Sequence, residues 1–477
     1  MQPQAEAAWA AAGARLCTET EWQRASGTRT AKPDVVPAFA QQGEPVVVIE
    51  RGLIGGACPN IACLPSKNVI RSAKVADYAR RGAAFGVRAQ GSTVAMDGVR
   101  ARKRAMVAGE IEGHRTKFAM PNLTFLLAEG RLVGLRTIEA RLAGGGTRRF
   151  VADRLFLDLG TRATIPNVPG LADAAPLTHV EALELDRVPP HLIVIGGGYV
   201  GVELAQAFRR FGSRVTIVVR GQQLMPREDP DVAAALRTIF EEEGIEVMLG
   251  ATPLSADGRS GRGVRLRVRI GEREETIEGS DLLVAVGRTP NTRGIGLEEA
   301  GIALDSSGYI AVDERLQTTA PGVWAMGECA GSPKFTHVAF DDFRVVRDNL
   351  AGIPRSARGR LVPYCVFTDP ELAHVGLDET SAKRDAVAVR VARLPMSAVL
   401  RAHSTGELRG FMKILVEANS DRILGFTMLG AEGGEVLSVV QTAMIAGLPY
   451  TALRDAILVH PTMSEGLRFL LETVPAR

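Results

Sequence analysis

Apolar residues in this chain gather into short continuous runs separated by glycine turns and by stretches of helical spacing. Leu192-Ile-Val-Ile195 is one such run, ended by Gly196-Gly-Gly198-Tyr-Val-Gly201-Val-Glu203. A helical spacing follows through Leu204, Ala207 and Phe208, and then a second run, Val215-Thr-Ile-Val-Val219. The pattern predicts a buried strand, a tight turn, a helix and a parallel second strand. Val46-Val-Val-Ile49-Glu50 reads as the second strand of another such unit. Leu157-Asp-Leu-Gly160, Val284-Ala-Val-Gly287 and Gly322-Val-Trp-Ala-Met-Gly327 read as strands that stop at a loop. From Leu361 the pattern changes. Gly410–Val416 and Ile423–Phe426, joined by the polar stretch Glu417–Arg422, predict an antiparallel pair, and a long helix is expected from Gly434 to Ala446.

The turn at Gly196, Gly198 and Gly201 is a G-x-G-x-x-G placed between a strand and a helix, the setting in which that motif holds a dinucleotide. The first glycine permits the turn, the second admits a pyrophosphate, and the third lets helix and strand pack closely. The helix N-terminus then offers N–H groups to the phosphates. The second strand ends in Arg220, where an NAD site usually places an acidic residue for the ribose 2′-hydroxyl. A guanidinium there suits a 2′-phosphate, with Arg227 assisting, so NADPH is expected over NADH. A solvated arginine at a strand end is the alternative.

At 477 residues the chain is too long for one core, so two to four domains are expected. A net charge of +3, scattered along the sequence, argues against nucleic-acid binding. No apolar run is long enough to span a bilayer, and Met1–Glu6 has no basic segment of the kind that opens a secretory signal. Five cysteines, Cys17, Cys58, Cys63, Cys329 and Cys365, contain one closely spaced pair, unlike a secreted disulfide framework. A cytoplasmic location is expected.

That pair lies in Gly-Gly-Ala-Cys58-Pro-Asn-Ile-Ala-Cys63-Leu-Pro65-Ser-Lys67. Two cysteines with four residues between them can close a disulfide across one turn. A helix begun at Cys63 would aim its N–H groups and positive dipole end at the sulfurs, favouring thiolate, the reactive species in exchange. Gly55 and Gly56 would let a flat cofactor approach the backbone. On spacing alone, two buried structural cysteines account for the pair equally well. No metal site is expected, because there is no second cysteine pair and the next histidine, His114, is remote.

The glycines, both cysteines, Pro65 and Lys67 together resemble the redox segment of the class I flavoprotein disulfide reductases. That family includes dihydrolipoyl dehydrogenase, glutathione reductase and mercuric reductase. The resemblance runs from about Ala38 to the C-terminus. It implies an α/β fold with two Rossmann-like dinucleotide-binding domains, the first incomplete at its N-terminus, plus a C-terminal α+β dimerisation domain. The expected divisions are 1–158 for FAD, 159–288 for NADPH, 289–355 as a return segment to the FAD domain, and 356–477 for the dimer interface.

The resemblance also implies roles. Cys58 exchanges with substrate and Cys63 lies against the flavin as a thiolate. Lys67 pairs with Glu203 near the reactive edge of the flavin, and Tyr199 covers the nicotinamide and moves aside for it. His460, oriented by Glu465, reaches across the interface of a homodimer with a shared active site to handle the proton. Glu50, Gly56, Gly160, Gly287, Gly327 and Glu328 belong to the nucleotide and flavin surroundings. Glu328 stands where the family usually has Asp.

One departure is large. No G-x-G-x-x-G occurs within residues 1–50, and no apolar strand is expected before Ser26, where spacing from Glu50 would put the motif. A local shift of reading frame or a real loss of the flavin site would each leave this, and FAD affinity is expected to be poor. The expected activity is an NADPH-dependent, FAD-containing oxidoreductase passing electrons to Cys58–Cys63 and on to a small disulfide or soft-metal substrate. Mercuric reductase and dihydrolipoyl dehydrogenase are the nearest types, though mercuric reductases use a C-terminal cysteine pair and no cysteine follows Cys365. Direct quinone reduction at the flavin stays open. The rival reading is a flavin-deficient, non-catalytic dimeric NADP-binding protein.

Overall fold

The computed structural model describes residues 15–17 (as backbone), 40, 43–88 and 93–477. The chain forms two compact units. The first comprises Met1–Asn68, Gly98–Thr164 and Arg288–Arg360, the second Val69–Asp97, Ile165–Gly287 and Leu361–Arg477.

The first unit is built on a seven-stranded sheet. Its order is Val323–Ala325, Leu155–Leu157, Arg15–Cys17, Val46–Glu50, Leu123–Gly134, Thr137–Leu142 and Thr147–Val151. The first five strands are parallel and the last two antiparallel. Val46–Glu50 is buried on both faces, as its unbroken apolar run requires of a central parallel strand. Alternate side chains feed two cores: Val46 and Val48 pack with Phe118, Phe156 and Phe343, while Val47 and Ile49 pack with Leu155, Leu157 and Ala325.

The expectation that no apolar strand precedes Ser26 is corrected here. Arg15–Cys17 pairs in parallel with Val46–Val48 on one side and with Leu155 on the other, the central position of the sheet. Three residues are too few to show a periodicity, which is why the segment does not stand out in the sequence. It also lies well before the point counted back from Glu50. Ser26 and the segment that would carry the first glycine motif fall outside the described residues.

The second unit holds the predicted strand–turn–helix–strand. His191–Ile195, the helix Tyr199–Phe211 and Arg214–Val219 belong to a four-stranded parallel sheet ordered Ile245–Leu249, Arg214–Val219, His191–Ile195, Asp281–Val284. Ala251–Arg259, Gly263–Ile270 and Arg273–Gly279 add a three-stranded antiparallel sheet. The C-terminal third carries a five-stranded antiparallel sheet ordered Tyr364–Val366, Glu371–Gly376, Ile423–Gly430, Phe411–Glu417, Val389–Pro395, with the helix Gly433–Ile445 against it. The expected antiparallel pair and long helix are both present.

A buried ionic network ties these pieces of the second unit together. Arg210, near the end of the helix Tyr199–Phe211, is 4% exposed. Its guanidinium donates to Asp369 Oδ2 at 2.5 Å and to both oxygens of Glu243, at 2.7 and 3.0 Å. Lys74, on the helix Cys63–Arg81, donates to Asp369 Oδ1 at 2.9 Å. Among the described residues, no helix is long and apolar enough to cross a membrane.

Candidate active site

The redox segment begins where Val46–Glu50 ends. Glu50 is buried, and its Oε1 accepts from the amides of Gly52 at 2.7 Å and Leu53 at 3.1 Å, turning the chain sharply. Gly55 and Gly56 follow at φ +86° and +77°, conformations that favour glycine. A Cβ on Gly55 would sit 2.8 Å from the buried ring of His114, so close packing as well as φ selects glycine there. Asn60 Nδ2 donates to the carbonyls of Ile54 at 2.8 Å and Gly56 at 2.7 Å, fixing the loop from inside.

Cys58 lies in a short helix, Ala57–Ile61, and Cys63 opens the long helix Cys63–Arg81, as expected. Both are free thiols in this structure and hydrogen-bond one another. The bond from Cys58 lowers the Cys63 thiol below the usual cysteine range; burial opposes this, and Thr336 and Lys67 reinforce it. The Thr336 hydroxyl lies 3.3 Å from Cys63 Sγ. Cys58 is pushed the other way, because its proton is committed to Cys63 and because it is buried. The two thiols are therefore shifted in opposite directions, Cys63 down and Cys58 up. Thr336→Val should raise the pH midpoint for iodoacetamide labelling of Cys63 by about half to one pH unit, one lost hydrogen bond to a thiolate. Peptide mass spectrometry reads this directly, and an unmoved midpoint would remove Thr336 from the account.

Around this segment in the first unit, Glu328 Oε2 is held by Thr161 and by Arg288 Nε at 3.0 Å, and Arg288 Nη2 donates to the Thr161 carbonyl at 2.9 Å. The Gly327 amide donates to buried Asp342 at 2.8 Å. Gly160, at φ +60°, and Gly287, at the edge of the second unit, have nothing within 4 Å of where a Cβ would stand. Thr161, Arg288, Thr336 and Asp342 are not singled out by the sequence. Arg288 directly follows Gly287, a signal that could have found it, whereas nothing local marks Thr336.

In the second unit, the glycine turn is packed as its spacing requires. A Cβ on Gly196 would meet the Ala285 carbonyl oxygen at 2.4 Å, and one on Gly201 would meet that of Gly196 at 2.0 Å. Gly198, the N-cap of the helix Tyr199–Phe211, faces open space instead. Arg220 and Arg227 are exposed, and Arg220 pairs with no carboxylate among the described residues. Glu203 is buried, and its Oε1 accepts from the Phe367 amide at 2.8 Å. Lys67 lies in the first unit, within the opening turns of the redox helix. His460 Nδ1 lies 3.0 and 3.1 Å from the two oxygens of Glu465, and the ring is exposed in the single chain.

Comparison with known proteins places the chain in a family. Residues 35–342 match the pyridine nucleotide-disulphide oxidoreductases, and residues 362–470 match the dimerisation domain of that family. The chain is 33% identical over 442 residues to the probable pyridine nucleotide-disulfide oxidoreductase RclA of Escherichia coli, covering 91% of this chain and 95% of that protein. The Cu(II) complex of that flavoprotein disulfide reductase superimposes with a TM-score of 0.85 over 97% of this chain and 99% of the other, at 30% identity. A mercuric reductase from Acidithiobacillus ferrooxidans is 34% identical over 91% of this chain and 79% of its own length. A dihydrolipoyl dehydrogenase from Thermus scotoductus is 33% identical over 90% and 92%. Both types expected from the redox segment are thus among the relatives. With its thiol pair at a helix start, its glycine cradle and its C-terminal sheet, the chain belongs to the pyridine nucleotide-disulphide oxidoreductases, as a flavoprotein disulfide reductase.

Proposed function

We propose that the chain is an NADPH-dependent reductase whose Cys58–Cys63 pair delivers electrons to a small disulfide or a thiophilic metal ion. The observation that carries this reading is the placing of Cys58 and Cys63 together at the start of the helix Cys63–Arg81, with the Thr336 hydroxyl 3.3 Å from Cys63 Sγ. A helix start and a hydroxyl at the sulfur favour thiolate, which a purely structural pair does not need.

The family depends on FAD and a pyridine nucleotide. The open space at Gly198, between two glycines that cannot carry a side chain, suits a pyrophosphate at the helix N-terminus. Glu50, Gly56, Gly160, Gly287, Gly327 and Glu328 suit the ribose and flavin end of FAD; residues for its pyrophosphate are not among the described ones. When bound, FAD would supply the transfer of a hydride equivalent from the nucleotide to the disulfide.

The chain's own residues supply the rest. In the reduced pair, His460 of the partner subunit, oriented by its glutamate, takes the Cys58 proton. The Cys58 thiolate attacks one sulfur of the substrate disulfide, forming a mixed disulfide and releasing one thiolate, which the imidazolium protonates. The Cys63 thiolate then attacks Cys58, closing the Cys58–Cys63 disulfide and releasing the second thiolate. Two electrons have left the pair and one substrate S–S bond is reduced. Lys67 would keep a cation at the flavin edge. For a metal ion, the two sulfurs are soft ligands of the kind that thiophilic ions prefer, which suits relatives named as mercuric reductases and as a Cu(II) complex.

Anaerobic NADPH oxidation against a panel of oxidised low-molecular-weight disulfides, lipoamide, Hg(II) and Cu(II) tests the reading. Turnover with at least one of these should require Cys58. Turnover confined to quinones and indifferent to Cys58→Ser would contradict it. Arg220 is assigned to the 2′-phosphate. Arg220→Asp should therefore lower kcat/KM for NADPH about 10- to 100-fold while sparing NADH, the effect of one charge-assisted bidentate contact. A wild-type preference for NADH would overturn that assignment.

A further inference from the structure

The helix Thr336–Leu350 meets the redox segment at its head. Its first residue is Thr336, whose hydroxyl lies 3.3 Å from Cys63 Sγ. Asp342 stands on the same helix, about 9 Å further along the axis. Val338, Ala339, Phe343, Val345 and Val346 are buried, and the last three pack in the core with Val46 and Val48. That burial keeps the helix on its sheet, yet apolar packing is non-directional and resists a small slide or rotation only weakly. Phe335 stands at the N-cap position, so no side chain caps the helix start. The height of Thr336 against the sulfur is therefore not set by a cap.

Asp342 supplies the direction that packing lacks. It is fully buried, a place where a carboxylate persists only when paired. Its Oδ2 accepts from the Gly327 amide at 2.8 Å, and its Oδ1 accepts from Arg360 Nη1 at 2.6 Å. Burial pushes the carboxyl up, and Arg360, Ser332 and the Gly327 amide oppose this. Arg360 also donates to Asp341 Oδ2 at 3.2 Å, and Arg355 bridges Asp341 and Asp348. Gly327 opens the turn Gly327–Ala330, in which Glu328 is held separately by Thr161 and Arg288. One buried carboxylate thus joins the helix whose head meets Cys63 to the turn that carries Glu328.

Resting on the reading of Cys58–Cys63 as the redox pair, we propose that Asp342, with Arg360 as its counter-charge, is a positioning residue that holds Thr336 on Cys63 Sγ. Charge-assisted hydrogen bonds are directional and, when buried, costly to leave unmade, so they resist the slide that packing permits. The groups facing Cys63 are Cys58 and Thr336 by hydrogen bond, and Lys67 and Glu328 by charge. Asp342 reaches the sulfur through Thr336, at the head of its own helix. Asparagine at this position would keep the shape but offer a single acceptor where two donors converge. Either the Gly327 amide or Arg360 would then face an NH2 group, and one of the two bonds would be lost.

Iodoacetamide labelling of Cys63 across pH, resolved from Cys58 by peptide fragmentation, tests this on the reduced full-length protein. The set is wild type, Asp342→Asn, Thr336→Val and the double variant. Asp342→Asn should raise the Cys63 midpoint by up to the half to one pH unit expected of Thr336→Val, and should add nothing once Thr336 is gone. Arg360→Gln gives a second test should Asp342→Asn not fold; it should raise the midpoint, and Arg360→Lys, which keeps the charge, should raise it less. A residue that merely supported the fold would lower the thermal midpoint and leave the labelling midpoint where it was. That result, or equal shifts with and without Thr336, would overturn the proposal and leave the redox pair standing. A wild-type Cys63 midpoint at the ordinary cysteine value, about 8.5, would remove the reading of the pair and the proposal together.

Discussion

Cys58→Ser is expected to cut NADPH-driven substrate reduction by about a thousandfold or more, as loss of a nucleophile that acts with its base usually does. The size follows from the asymmetry of the pair. The Cys63 thiol is shifted down and lies beside Thr336, and in the proposed sequence it attacks Cys58 in the mixed disulfide rather than the substrate. Cys58 holds the proton, so it becomes a nucleophile only when a base removes it. Serine at position 58 leaves no sulfur to form the mixed disulfide. Cys63→Ser should fail differently: Cys58 still attacks substrate, and nothing resolves the product. Intact-protein mass spectrometry after exposure of the reduced proteins to a small disulfide separates the two cases. A stable adduct is expected on Cys63→Ser and none on Cys58→Ser. Adducts on both would mean that the roles of the two cysteines are not divided in this way.

Arg210→Ala should destabilise the protein by about 3–5 kcal/mol, the usual cost of removing one partner from a buried ion pair. Arg210 faces three carboxylates, Asp369, Glu243 and Asp77, and its removal leaves the first two, both largely buried, with Lys74 and Arg409 as their cationic partners. Burial alone would raise Asp369 and Glu243, yet Arg210 and its neighbours hold both below the usual carboxylate range. With folded values depressed, their contribution is present above the unfolded carboxylate range near pH 4 and is lost as pH falls through the folded values. The variant should therefore show a lower thermal midpoint at pH 7, and a difference from wild type that narrows below about pH 4. A midpoint within 1 °C of wild type at pH 7 would show that the network is not the tie proposed here.

The parts of the fold that were legible in the sequence are those where one residue type does one mechanical job. Gly196 and Gly201 announce the turn because no other residue fits against Ala285 and Gly196. Val46–Glu50 and His191–Ile195 announce themselves as central strands because both faces are buried. The redox helix start at Cys63 was likewise readable from its motif. What escaped was non-local or too short. Arg15–Cys17 takes the central place in its sheet with three residues, and pairing, not periodicity, defines it. Thr336 comes to Cys63 across 273 positions, and Asp369 to Arg210 across 159. Such partners carry no signal in their own neighbourhood, since a threonine before a histidine or an aspartate before a proline is ordinary.

The visible absorption spectrum of the purified protein, before and after NADPH, tests the central claim most directly. The account predicts that, with FAD supplied against the weak affinity expected from the missing first glycine motif, flavin bands reach about one FAD per chain, and that reduction gives a long-wavelength band from the Cys63 thiolate that Cys63→Ser lacks. A colourless protein that takes up no added FAD yet binds NADPH would contradict it, and would leave a nucleotide-binding dimer in place of a reductase.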